Sequence, residues 1–238
     1  MKIQGYIIAF FCVAFWTNLQ AQALKISHLT GDLYVYTTYG DFAGNPFPAN
    51  GMYLITNEGA VLIDTPWDKT QFQPLLDSIE KRHHKKAVLC ISTHYHDDRT
   101  IGLEYYRSKG IRTYSSALTK KLCRKYHFKQ AEFTFKNDTV FNIGGYKIET
   151  FYPGKGHTKD NIVVWFAKDK TLYGGCFLKS TESTTLGNLN DADVKAWPAS
   201  IKKVIAKFPK PDYTIPGHQD WKDNKSIIHT QKLLSQKK

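Results

Sequence analysis

The sequence predicts an α+β domain in which two β-sheets pack face to face and carry helices on their outer sides. Three observations point there. Short apolar strands occur in both halves of the 238-residue chain. They come as meanders rather than in strict β–α alternation. Amphipathic helical stretches lie between them, so each sheet can bury one face on the other sheet and the opposite face under helices. Periodicity alone leaves the strand order open.

The elements can be justified in order. Leu33-Tyr34-Val35-Tyr36, Met52-Tyr53-Leu54-Ile55 and Ala60-Val61-Leu62-Ile63 read as strands, with Asn57-Glu58-Gly59 turning the last two. Between the first two lies a turn-rich loop at 40–48 with the aromatics Phe42 and Phe47. Two readings stay open for it, a plain hairpin tip or a flap covering apolar parts of a substrate. Gln71 to Arg82 predicts a helix, because Phe72, Leu75, Leu76 and Ile79 recur at i, i+3, i+4 and i+7. A strand at 86–92 follows. Thr100 to Lys109 predicts a helix stopped by Gly110, and Ala117 to Tyr126 another. Strands are expected near 139–143, 146–152, 161–167 and 171–176. Asp193 to Phe208 predicts a helix whose regular part lies C-terminal to Pro198. A short strand, Tyr213-Thr214-Ile215, and a helix from Ser226 to Gln236 close the chain.

Composition is that of a globular protein: 42% hydrophobic, 14% aromatic and 23% charged. Lys2, the apolar run Tyr6 to Trp16 and the small-residue pattern Ala21-Gln22-Ala23 make residues 1–23 a signal peptide by pattern, leaving one domain over 24–238. The apolar run is short for a membrane span. The formal charge of +12 comes from scattered pairs such as Lys120-Lys121 and Lys202-Lys203, without an aromatic-interleaved stripe. That pattern is a solvated surface rather than a nucleic-acid interface. Export leaves three cysteines, Cys90, Cys123 and Cys176, an odd number. Cys90 lies in an apolar run and reads as buried.

Four stretches carry metal-ligand chemistry: His94-Tyr95-His96-Asp97-Asp98-Arg99, Gly156-His157-Thr158, Gly174-Gly175-Cys176-Phe177 and Pro216-Gly217-His218. Imidazole, thiolate and carboxylate are the usual zinc donors. Six candidates, His94, His96, Asp98, His157, Cys176 and His218, exceed one tetrahedral ion. The count points to two ions with room for water, which is a catalytic arrangement. In an extended segment His94, His96 and Asp98 would share one side, and His94 and His96 converge only where the loop curves. Each other donor sits at a strand-to-loop junction beside glycine or proline. His28, His127 and His229 lack partners at ligand spacing, and His83-His84 sit at a predicted helix C-terminus, where imidazolium favours the dipole.

Together with Lys179, Gly187-Asn188 and the stretch Ile63-Asp64-Thr65-Pro66-Trp67, these motifs resemble the class B metallo-β-lactamases of the first subclass. The resemblance covers nearly the whole chain after residue 23. It implies an αββα sandwich of two mixed sheets with the site at one edge. It implies two zinc ions, one on His94, His96 and His157, the other on Asp98, Cys176 and His218. Lys179 matches the position that pairs with the substrate carboxylate, and Asn188 the one that helps polarise the lactam carbonyl. Asp98 would orient the attacking water, and the loop at 40–48 matches a mobile flap. The implied activity is hydrolysis of the β-lactam amide of penicillins, cephalosporins and carbapenems, conferring resistance, in the periplasm. The implied partner is a small-molecule β-lactam, with no nucleic acid, no stable membrane insertion and a monomeric chain. Three departures stand out. Ile101-Gly102 replaces a glycine pair, Asn190 stands where glycine is usual, and Arg99 is found in only some members. Arg99 is expected to pair with a carboxylate near the second zinc. Other hydrolases of the broader superfamily, thioester hydrolases or nucleases, carry a histidine and a bridging aspartate where this chain has Arg99 and Cys176. A secreted zinc-binding protein without catalysis is the remaining alternative.

Overall fold

The computed structural model describes residues 24–136 and 138–237, and the expected signal segment 1–23 lies outside them. Seven strands form the first sheet in sequence order: β1 (Lys25–Thr30), β2 (Leu33–Phe42), β3 (Asn45–Thr56), β4 (Gly59–Ile63), β5 (Ala87–Ser92), β6 (Arg112–Ser116) and β7 (Phe133–Phe135). The pairs from β1 to β4 are antiparallel, and those from β4 to β7 are parallel. The second sheet contains β8 (Thr139–Ile143), β9 (Tyr146–Phe151), β10 (Val163–Phe166), β11 (Thr171–Gly175) and β12 (Tyr213–Pro216), in the order β12-β11-β10-β9-β8. Only β11 and β12 pair in parallel there. Both sheets are therefore mixed, as expected.

Side-chain alternation assigns the layers. Val61 and Ile63 of β4, with Leu89 and Ile91 of β5, face the second sheet and meet Ile148, Val164, Phe166, Tyr173 and Ile215. Ala60 and Leu62 point the other way, onto α1 (Phe72–His83) and α3 (Leu103–Ser108), through Phe72, Leu75, Ile79, Leu103 and Tyr106. Outside the second sheet, Val163 and Leu172 pack under α5 (Trp197–Lys207) and α6 (Ser226–Ser235), through Trp197, Ile201, Val204, Leu233 and Leu234. Strand β4 is buried at every residue because both its faces are covered. The layer order is the αββα sandwich.

Several expectations need correction. The loop at 40–48 is largely strand: β2 and β3 stay paired out to Phe42 and Asn45, and only Ala43 and Gly44 form the tip. Both have positive φ, 54° and 80°, which is the twist a two-residue hairpin requires. The expected helix at Thr100 to Lys109 is two pieces, α2 (Asp97–Thr100) and α3. They break around Gly102, where an added Cβ would lie 2.9 Å from Thr65 and 3.1 Å from Phe72. The helix expected from Asp193 begins at Trp197, with Pro198 in its first turn. Strands β1 and β7 were not anticipated. β1 is a polar, half-exposed edge strand, and β7 has three residues. The helix Ala117–Tyr126, α4, is found as expected. Cys90 and Cys123 are both buried free thiols.

Candidate metal centre and catalytic cleft

All six predicted donors gather at one end of the sandwich. His94 and His96 follow β5, Cys176 follows β11, His218 follows β12, and His157 lies on the loop from β9 to β10. In open sheets, ligands meet the chain where strands release it into loops, because backbone there is free to aim side chains. The anticipated curvature is present. β5 ends at Ser92, the chain bends through His94 and His96, and Asp98 sits on the short helix α2. A continuous extended run through Asp98 is therefore not what aligns these residues.

One half of the cluster is a tight triangle. Asp98 Oδ2 lies 3.2 Å from His218 Nε2 and 3.4 Å from Cys176 Sγ, and Sγ lies 3.2 Å from His218 Nε2. Zinc bonds to nitrogen, oxygen and sulfur at tetrahedral angles imply donor–donor edges of roughly 3.3–3.8 Å. The triangle has almost that size before any ion is considered. His218 is fixed by its other nitrogen: Nδ1–H donates to the Pro48 carbonyl at 2.9 Å, which leaves the Nε2 lone pair for the cluster. Gly217 makes this approach possible. A Cβ there would sit 2.6 Å from the Cys176 backbone nitrogen.

The other half is a corner of three imidazoles. The ring centroids of His94, His96 and His157 are 4.9, 5.0 and 5.2 Å apart, and their planes cross at 78°, 88° and 81°. His94 Nε2 and His157 Nδ1 are buried without a hydrogen-bond partner. Unpaired buried nitrogens are costly unless a further ligand uses them. Donor atoms of His94, His96 and Asp98 lie within 4.8 Å of one another, as do those of His94, His157 and Cys176. The two halves thus form one continuous cluster joined through His94, and its donor chemistry fits zinc.

Electrostatics favour metal-ready protonation states on most donors. Burial, with neighbouring positive charge, lowers the pKa of His94 and His157 well below the usual imidazole range. Burial also lowers that of His218. All three are neutral near pH 7, the form that ligates. Burial works to raise the Asp98 carboxyl, but the Arg99 guanidinium beside it outweighs that and holds Asp98 ionised. The Cys176 thiol is pushed up by burial against the pull of Arg99. A coordinating cation reverses that preference outright.

Behind the triangle lies a buried polar network. Arg99 is 1% exposed. Its Nε is 2.9 Å from Asp98 Oδ2. Nη1 donates to the Asn50 carbonyl at 2.7 Å and to the Tyr173 hydroxyl at 3.1 Å. Nη2 donates to the Gly217 carbonyl at 2.7 Å and to Cys176 Sγ at 3.0 Å. The pairing expected of Arg99 is therefore present, and its reach is wider than expected. Asp64, at φ 65° just after β4, anchors the network. It accepts from the Thr93 backbone N–H at 2.7 Å and from Tyr173 at 2.7 Å, and its Oδ2 is 3.6 Å from Arg99. Burial raises the Asp64 carboxyl to about 6 against the Arg99 charge and these hydrogen bonds. Through these contacts Asp64 braces the site loops from β5 and β11.

The cluster opens into a cleft of about 540 Å³ whose walls include Phe42, Phe47, Trp67, Lys179, Asn188 and His218. Phe47 and Trp67 stand against the His218 ring, at centroid distances of 5.2 and 5.8 Å. Lys179 is nine-tenths buried, with its ammonium 5.5 Å from the Trp197 ring centroid, and burial lowers its pKa. Asn188 lines the cleft and also serves its own turn, accepting from the Asn190 N–H at 3.0 Å. Two residues were missed from sequence. Asp191 places Oδ2 3.1 Å from His96 Nε2, and the Tyr173 hydroxyl links Asp64, Asn50 and Arg99. Neither carries a spacing signal, since the first lies 95 positions from its partner and the second inside an apolar strand. A second cleft, of about 470 Å³ beside Leu118, Phe135 and Asp160, contains none of the six donors.

A two-sheet sandwich with imidazole, carboxylate and thiolate donors converging at one edge defines a metal-dependent hydrolase scaffold. The sequence profile of the metallo-beta-lactamase superfamily matches residues 44–218. A metallo-beta-lactamase type 2 from Elizabethkingia meningoseptica is 46% identical over 213 residues, which is 90% of this chain and 86% of the relative. Metallo-beta-lactamase IND-1 from Chryseobacterium indologenes is 42% identical, over 88% of this chain and 87% of the relative. The crystal structure of metallo-beta-lactamase IND-7 superposes with a TM-score of 0.87 at 40% identity, covering 91% of this chain and all of the other. The chain belongs to the metallo-β-lactamase superfamily and, within it, to the class B metallo-β-lactamases.

Proposed function

We propose that this chain opens the β-lactam ring of penicillins, cephalosporins and carbapenems with two zinc ions, as a first-subclass enzyme exported to the periplasm and acting as a monomer. The observation that carries the reading is the Asp98–Cys176–His218 triangle abutting the three-imidazole corner in one cleft. His94, His96 and His157 would hold one ion, and Asp98, Cys176 and His218 the other. Zinc at such a site supplies Lewis acidity and lowers the pKa of a bound water to about 7.

The chain's own groups do the rest. The Lys179 ammonium anchors the substrate carboxylate as a point charge. That fixes the bicyclic ring with its amide over the donor cluster. Asp98, held ionised, accepts a hydrogen bond from the attacking water and aims its lone pair at the carbonyl carbon. The Asn188 side-chain N–H donates to the carbonyl oxygen as negative charge gathers there. The water oxygen bonds to carbon, the carbon–nitrogen bond breaks, and the ring nitrogen ends with a proton. Phe42 and Phe47 on the hairpin cover apolar substituents and exclude water. Among the described residues no helix is long and apolar enough to cross a membrane.

Turnover of a chromogenic cephalosporin by the purified protein tests the reading. The expected result is hydrolysis that stops with chelator and returns with added zinc. A correctly folded, zinc-loaded protein that opens no β-lactam would overturn it.

A further inference from the structure

The charges around the cleft run against those of the chain. Overall the sequence has 33 basic and 21 acidic side chains. Among the described residues the cleft is lined instead by four carboxylates, Asp97, Asp98, Glu182 and Asp191, and by one cation, Lys179. Asp98 belongs to the donor triangle, and Asp191 is held by His96. Asp97 and Glu182 are left, both solvent-facing. Asp97 hydrogen-bonds the Trp67 side chain, and Glu182 accepts from the Asp220 N–H through Oε2 at 3.0 Å. Each has two carboxylate oxygens and so keeps accepting capacity. Trp67 offers an aromatic face on the same wall as Phe47 and His218.

The ammonium of Lys179 is an independent sign of ligand chemistry. It is nine-tenths buried, makes no hydrogen bond among the described residues, and points to an anionic group on the ligand. Glu182 lies three residues further along the same loop. In a cephalosporin the carboxylate and the C3 substituent occupy neighbouring ring atoms. A carboxylate on Lys179 therefore leaves the C3 substituent beside that loop.

We propose that the acidic rim made by Glu182 and Asp97, with Trp67, selects zwitterionic β-lactams, above all cephalosporins carrying a quaternary nitrogen at C3. The inference rests on β-lactam hydrolysis as the reaction and makes Glu182 a specificity-determining residue for it. Exposed opposite charges and an exposed cation–π contact together are worth about three-fold to ten-fold in kcat/KM.

The test compares two cephalosporins with the same acyl group, one with a pyridiniummethyl and one with an acetoxymethyl substituent at C3. The readout is the ratio of their kcat/KM values, so a general loss of activity or of folded protein cancels. Glu182→Gln is expected to lower the ratio by about three-fold, Glu182→Lys by more, and Asp97→Asn by a smaller factor. In the unmodified protein, added salt is expected to lower the ratio, because screening weakens the extra attraction felt by the cation. A ratio unmoved by both Glu182 variants and flat with salt overturns the proposal. Hydrolysis of neither cephalosporin would instead count against the reaction itself, so the two failures are distinguishable.

Discussion

Arg99→Lys is the most informative single substitution. Four hydrogen bonds radiate from the guanidinium, to Asn50, Tyr173, Gly217 and Cys176, and its Nε is ion-paired with Asp98 Oδ2, all within 3.1 Å. A lysine keeps the charge but offers three donors on one atom, and it cannot reproduce a planar fork. Two or more buried carbonyl, hydroxyl or sulfur acceptors then lose their partner, at about 1–3 kcal/mol each. A loss of about 3 kcal/mol lowers the Tm of a chain this size by roughly 6–12 °C. Metal binding suffers separately. The guanidinium orients Asp98 and Cys176 together, and loss of such outer partners typically weakens metal affinity by about 10–100-fold. The assay has two parts: thermal unfolding of the metal-free protein, and competitive chelator titration resolving two zinc equivalents. The weaker equivalent is expected to fall while the other changes little, because the three-imidazole corner does not contact Arg99. Unchanged zinc affinity together with an unchanged Tm would refute the reasoning.

Asp191→Ala frees His96 Nε2 and is expected to weaken zinc at the imidazole corner by about 10–100-fold, read by the same chelator titration. Lys179→Ala is expected to raise KM with little change in kcat, since the anchor acts alike in ground and transition states; a large kcat loss at unchanged KM would contradict it. Asp160 is raised to about 6 by burial, offset by hydrogen bonds from Thr119 and Thr158. Between about pH 6 and the ordinary carboxylate range its native form therefore binds more protons than its unfolded form, so this group adds stability as pH falls. Relative to Asp160→Asn, the metal-free native chain should gain about 2–3 kcal/mol from about pH 7 to pH 4, measured by urea unfolding. A stability difference, unmodified chain minus Asp160→Asn, that stays constant or falls on acidification would count against it.

The sequence revealed much of this arrangement because its donors sit in short, local signals. Strand β5 is apolar and ends in a dense run of histidine and aspartate, so both its secondary structure and its chemistry were visible. The helix at Ala117–Tyr126 was equally local. What stayed hidden depended on long-range pairing. Asn45-Pro46-Phe47-Pro48 looks like loop by composition, yet it forms strand because β2 lies alongside it. Strand β7 exists only because β6 offers it an edge. Asp98 reaches the triangle from a helical turn, and that turn depends on Gly102 fitting against Thr65 and Phe72. Asp191 and Tyr173 gained their roles from folding that brought distant segments together.

The donors of the triangle come from different layers: Asp98 follows β5 of the first sheet, while Cys176 and His218 follow β11 and β12 of the second. An ion bound there would act as a clasp across the seam of the sandwich, in addition to any chemistry it performs. Binding only to the folded form stabilises it in proportion to the logarithm of free metal. Scarcity of zinc would then shorten the protein's survival against proteases as well as silence it, and the metal supply of its surroundings would govern how much enzyme persists.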